Sequence, residues 1–139
     1  MQQVFLILAA GAEAVGGKIH ILGGGVDHHM AASFPTNLNA TIACSFLVSW
    51  HETARPVDVQ LRITDDDGGE TLACGLQAVV SRPPHARMGQ DVRTQIAVRG
   101  PFPIPRAGSY LLRLRLDGVD QGPPFRFWVD PAAAPGASN

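Results

Sequence analysis

From Thr41 to Trp50 the apolar residues Ile42, Cys44, Phe46, Val48 and Trp50 occupy one parity. The other carries Thr41, Ala43, Ser45 and Ser49, with Leu47 as the exception. Successive side chains of a strand point to opposite faces, so a two-residue period predicts a strand with one face buried. Val57, Val59, Leu61 and Ile63 repeat it, as do Val92, Ile96 and Val98, then Tyr110, Leu112, Leu114 and Leu116, and finally Phe125, Phe127 and Val129. Helical spacing would scatter these residues around the axis, and no segment shows a sustained helical period with caps. Gly, Pro and Asp clusters separate the runs. About eight strands with turn signals every 8 to 12 residues or so predict an all-β fold, an antiparallel two-sheet β-sandwich of immunoglobulin-like type, with barrel closure as the alternative.

At 139 residues the chain suits one β-sandwich domain over residues 1–130, followed by a disordered tail over 131–139 of small, polar and proline residues. The apolar run Val4 to Ala14 fills both parities and predicts a central strand. Gly16-Gly17 turns it into Lys18 to Leu22, and Val26 to Met30 is expected to extend that second strand past Gly23-Gly24-Gly25. Ser33 to Asn39 could hold a helical turn. Asp65-Asp66-Asp67-Gly68-Gly69 predicts a hairpin between Val57–Thr64 and Glu70–Val80. Pro101, Pro103 and Pro105 are expected to prevent regular pairing after the strand Asp91 to Arg99. Asp117-Gly118 and Gly122-Pro123-Pro124 join the last two strands.

A net charge of -1 and a charged fraction of 17% give no electrostatic case for nucleic acid. No stretch approaches the ~20 apolar residues that span a bilayer, so no membrane association is expected. Ala10-Gly11-Ala12 and Ala12-Glu13-Ala14 resemble signal-peptidase sites, but no Lys or Arg precedes the apolar run. The expectation is a cytoplasmic protein, with export as the alternative. Cys44 and Cys74 fall on apolar parities and read as free core thiols, with their pairing left open.

Val4 to Ala14, the Gly16-Gly17-Lys18 turn, Ile19-His20-Ile21-Leu22-Gly23-Gly24-Gly25, Phe34-Pro35 and Gly108-Ser109-Tyr110 together resemble a family of small bacterial proteins classed as a domain of unknown function. That resemblance implies an N-terminal strand, a Gly-Lys turn, a Leu-Gly-Gly segment, a Phe-Pro pair and sandwich strands closing on a Gly-x-Tyr hairpin. It implies no activity and no catalytic residues.

Imidazole and carboxylate are common zinc ligands, which makes His20, Asp27, His28 and His29 the candidate metal or small-ligand cluster. Alternation lets Asp27 and His29 converge while His28 points away, so the spacing fits a tetrahedral site poorly. Asp65, Asp66, Asp67 and Glu70 could offer oxygens to calcium but lack the EF-hand spacing, and a solvated turn explains them. Gly23-Gly24-Gly25 lacks the Lys-Ser/Thr of a phosphate loop, no Gly-x-Ser-x-Gly elbow occurs, and no carboxylate pair suits glycoside hydrolysis. No catalytic residue and no cofactor is expected.

On the outward parity of the last two strands lie Arg113, Arg115, Arg126 and Trp128, with Arg62, Arg93 and Arg99 on other outward faces. Outward arginines protect sheets from aggregation, but a large aromatic on a polar parity is costly to expose. The sequence therefore predicts a non-enzymatic interaction or assembly module that contacts a protein partner or itself through Trp128, Arg113, Arg115 and Arg126.

Overall fold

The computed structural model describes residues 1–132. It is all-β, built from strands in three sheets with one short 3-10 turn at Trp50–Glu52. In chain order the strands are β1 (Gln2–Val15), β2 (Lys18–Gly24), β3 (His28–Ala31), β4 (Thr36–Leu38), β5 (Thr41–Val48), β6 (Pro56–Asp65), β7 (Glu70–Val79), β8 (Val92–Arg99), β9 (Phe102–Ile104), β10 (Gly108–Leu116), β11 (Val119–Asp120) and β12 (Phe125–Pro131). A four-stranded sheet runs β2-β1-β5-β8 and a larger one β3-β12-β10-β6-β7, with β11 paired to β10. β4 and β9 form a separate two-stranded ribbon.

The alternating parities become the core. Val57, Val59, Leu61 and Ile63 of β6 and Leu112 and Leu114 of β10 are 0% exposed, and they meet Leu8, Ile42, Cys44, Phe46 and Val48 from the four-stranded sheet. Burial of this apolar surface is the main driving force for closing the two sheets on each other. Tyr110 stacks on Phe127 with ring centroids 5.5 Å apart, and its hydroxyl donates to the carbonyl of Arg106.

β1 sits between β2 and β5, as its two-sided apolar character predicts. Gly16 and Gly17 both adopt positive φ, 58° and 77°, the left-handed pair that a tight hairpin turn needs. The β1–β2 hairpin curls the sheet into a half-barrel, and the Gln95 side-chain amide on β8 donates to Gly17 O at 3.0 Å. That curl buries the second face of β5, where Ala43 and Ser45 are 0% exposed. β5 is thus covered on both faces rather than on the one its alternation predicts, and its small off-parity residues fit the tight inner curve.

Several local expectations are corrected. β3 does not continue β2. Gly23 and Gly25, at φ 61° and 80°, turn the chain out of the sheet, and β3 pairs with β12 in parallel, so the larger sheet is not wholly antiparallel. The backbone N–H of Trp128 donates to Asp27 O and that of Ala132 to Ala31 O, both at 2.7 Å, and these bonds clamp the two ends of that pair. Ser33 to Asn39 holds β4 rather than a helical turn. The proline segment does pair: β9 meets β4 with Asn37 opposite Pro103, a ribbon whose free edges tolerate a missing N–H, while Phe102 and Ile104 plug into the core. Pro131 closes β12, and of the tail expected to be disordered, residues 133–139 lie outside the described residues. Both thiols are free, Cys44 buried and Cys74 half-buried.

Candidate binding face

The inner parity of the larger sheet is spent on the core, so its chemistry lies on the outer parity. Pairing registers order that face. Across β6 and β10, Arg62 stands opposite Arg113 and Gln60 opposite Arg115. Across β10 and β12, Ser109 stands opposite Trp128 and Leu111 opposite Arg126. Across β6 and β7, Arg62 meets Ala73 and Gln60 meets Gly75. β3 adds His28 beside Trp128 and Met30 beside Asp130.

These positions lay the sequence-predicted contact set out as one row across β10 and β12. Arg115 and Trp128 mark its two ends, since Ser109, opposite Trp128, is about 20 Å from Arg115 at the usual strand rise. Arg126, opposite Leu111, lies diagonally next to Arg113 in the middle. At the Trp128 end, Arg126 Nη1 donates to Ser109 Oγ at 3.0 Å, and the Ser109 hydroxyl donates to Asp66. His28 Nε2 donates to Asp130 Oδ2 at 2.8 Å. Trp128 remains 38% exposed and Met30 60%, an apolar corner framed by charge.

At the other end, Arg115 Nε donates to Asp120 Oδ1 at 2.9 Å and Arg62 Nε to Glu70 Oε1 at 3.0 Å. The Asp120 carboxyl is held below the usual range first by the Arg115 hydrogen bond, with the charges of Arg115, Arg62 and Arg113 adding to it. Arg62, absent from the sequence-predicted set, belongs to this cluster. Its alternation marks it as outward, but only the β6–β10 register brings it opposite Arg113. Beside the cluster is a hollow of about 310 Å³ lined by Gln60, Arg62, Glu70, Ala73, Cys74, Gly75 and Arg115.

The histidine cluster does not assemble. His20 lies on β2 opposite Glu13 in the four-stranded sheet, whereas His28 and His29 belong to the larger one. His29 faces inward, edge-on to Phe127, and donates from Nε2 to Val26 O at 3.2 Å. Burial is the main influence lowering its pKa. Among the described residues no group of three or more His, Cys, Asp or Glu side chains is placed to hold a metal ion. The Asp65–Gly69 turn is closed by its own chemistry. Asp65 Oδ1 accepts from the N–H groups of Asp67 and Gly69, and Arg106 Nη2 bridges Asp65 and Asp67 at 3.1 and 2.7 Å. Among the described residues no helix is long and apolar enough to cross a membrane.

An all-β chain with an arginine- and tryptophan-bearing sheet face is the class these features define. The chain belongs to a family of unknown function, DUF6941, whose sequence model matches residues 4–123. Comparison with curated proteins finds none similar to the chain.

Proposed function

We propose that this protein is a non-enzymatic docking or assembly module whose working surface is the outer face of the larger sheet. The observation that carries this reading is Trp128, an indole left 38% exposed on a sheet face beside Met30 and framed by Arg126, His28 and Asp130. Exposed aromatic and arginine side chains on one face are what protein interfaces enrich. Burial pushes the Cys44 thiol up to about 12, which makes this residue a core side chain rather than a candidate nucleophile.

We read the architecture as a variant immunoglobulin-like sandwich. Tyr110 supports this, because its hydroxyl bonds the backbone of Arg106 four residues upstream, the corner found at strand entries in that fold. We also place the protein in a bacterial cytoplasm. The apolar run that could pass for a signal sequence supplies the interior strand β1, with Leu6 and Leu8 in the core, and cleaving it would strip pairing from both neighbours.

Native mass spectrometry of the protein purified from its own host tests the reading. A homo-oligomer or stoichiometric protein complex that Trp128→Ser dissociates, with the melting temperature unchanged, is the expected result. A monomer in both forms, or a complex indifferent to Trp128→Ser, would overturn it.

A further inference from the structure

We propose that the hollow between β6 and β7 is a carboxylate-binding subsite of that face, which takes an Asp or Glu side chain from an extended segment of the protein partner. This deepens the docking reading and rests on it.

Three observations converge on the hollow. First, Arg62, which lines the hollow, stands directly opposite Arg113, which borders it on β10 without lining it, an arrangement that repels unless something anionic lies between or above them. Glu70 and Asp120 offset part of this repulsion, yet each accepts only an Nε hydrogen bond. The Nη groups of Arg62 and Arg115, and the whole guanidinium of Arg113, have no hydrogen-bond acceptor among the described residues. Held by Nε, the guanidiniums of Arg62 and Arg115 are pre-oriented forks with their Nη groups still free to donate, the geometry that grips a carboxylate in two-point fashion.

Second, Gly75 is unexplained by the fold. Its φ is not positive, and a Cβ built there would meet nothing within 4 Å. Glycine inside a strand weakens it and often marks a site of close approach by a ligand or another backbone. Here, with Ala73 two residues before it, glycine leaves open the space of about 310 Å³ that Gln60, Arg62 and Arg115 also line.

Third, the charge count fits one carboxylate. The guanidiniums of Arg62, Arg113 and Arg115 against the two carboxylates paired with them, Glu70 and Asp120, leave one positive charge in excess, while Asp58, the next outward residue along β6, is held by the Gln77 amide instead. A polyanion would meet Glu70 at the rim and gain little, whereas one carboxylate neutralises the cluster, and the Gln60 amide is a further donor in the lining.

The test uses the full chain and a capped peptide of alternating Thr and Glu, with its Gln counterpart and inorganic phosphate as controls. Binding is followed by calorimetry and by NMR of the arginine Nε–H and backbone amide signals. The Glu peptide should shift the signals of Arg62, Arg113, Arg115 and Gly75 and bind at least tenfold tighter than the Gln peptide. Gly75→Val should abolish this binding while the melting temperature holds or rises. Binding that survives Gly75→Val, or a Gln peptide equal to the Glu peptide, would overturn the subsite. Phosphate binding as tightly as the peptide would overturn the partner side chain as the source of the anion. Failure of the docking reading is distinguishable. A native complex dissociated by Trp128→Ser but untouched by Gly75→Val keeps the docking face and rejects the subsite. A monomer in every form rejects the docking face itself.

Discussion

Two glycines show how far one Cβ can mean opposite things. A Cβ on Gly24, the exposed last residue of β2, would lie 2.8 Å from Ile21 Cγ2 and 3.0 Å from Ile7 Cδ1, closer than either neighbour allows without a shift. Gly24→Ala should therefore cost about 1–3 kcal/mol in urea denaturation, the usual penalty of overpacking. Gly75→Ala meets open space and should stabilise by roughly 0.5–1 kcal/mol, because it removes backbone freedom from the unfolded chain and nothing else. His29 gives a pH prediction. Its folded pKa is lowered, chiefly by burial, so the unfolded chain binds its proton first as pH falls. The stability tied to neutral His29 is complete above the ordinary histidine value of ~6.5 and is lost as pH drops through the lowered value. Replacing His29 with Phe, which keeps the edge-on contact with Phe127, should flatten the fall in melting temperature between about pH 7 and pH 5 relative to wild type. An unchanged slope would mean that other groups carry the acid sensitivity.

At the scale of strands, the turn into β10 depends on Tyr110. Its hydroxyl fixes the Arg106 backbone just before the strand begins, and Tyr110→Phe keeps the stack on Phe127 while removing that bond. The expected loss is about 1 kcal/mol by chemical denaturation, with faster amide exchange confined to residues 106–109. The Gly-x-Tyr signature was visible in the sequence as a motif but not as a hydrogen bond. The same division runs through the fold. Parity read the long strands β5, β6, β8, β10 and β12 within a residue or two, because each carries its own period, and the Asp65–Gly69 turn located β7. β3 was beyond such reading: four residues with no period of their own pair in parallel with a strand about a hundred positions later, held by backbone groups that every residue carries. β4 and β9 were hidden for a related reason, since Pro103 signals a break locally while the burial of Phe102 and Ile104 decides the matter globally. On the candidate face, outwardness was legible for each arginine and for Trp128. Their order along the face was not, because it is set by the registers of β10 against β6 and β12.

For the whole molecule, the two large sheets have different tasks. The four-stranded sheet folds its second face inward and covers it with its own hairpin, so that Ser45 is fully buried and Gln95 ties the tip down. The larger sheet leaves its second face open, with an apolar corner at Trp128 and Met30 and a guanidinium cluster at Arg62, Arg113 and Arg115. One face is closed by the chain itself, and the other is the face proposed above to receive a partner. The measurement to make is the dissociation constant of the native complex or oligomer for Arg113→Ser against that for Arg99→Ser, an equal loss of charge at the exposed end of β8 in the opposite sheet. On that reading, at least a tenfold weakening is expected for Arg113→Ser and less than twofold for Arg99→Ser, with a melting temperature that holds or rises for Arg113→Ser as its repulsion with Arg62 is relieved, since truncating a central interface arginine costs upwards of ~1 kcal/mol and a residue outside the interface costs little. Equal effects from the two substitutions, or a larger effect from Arg99→Ser, would contradict it.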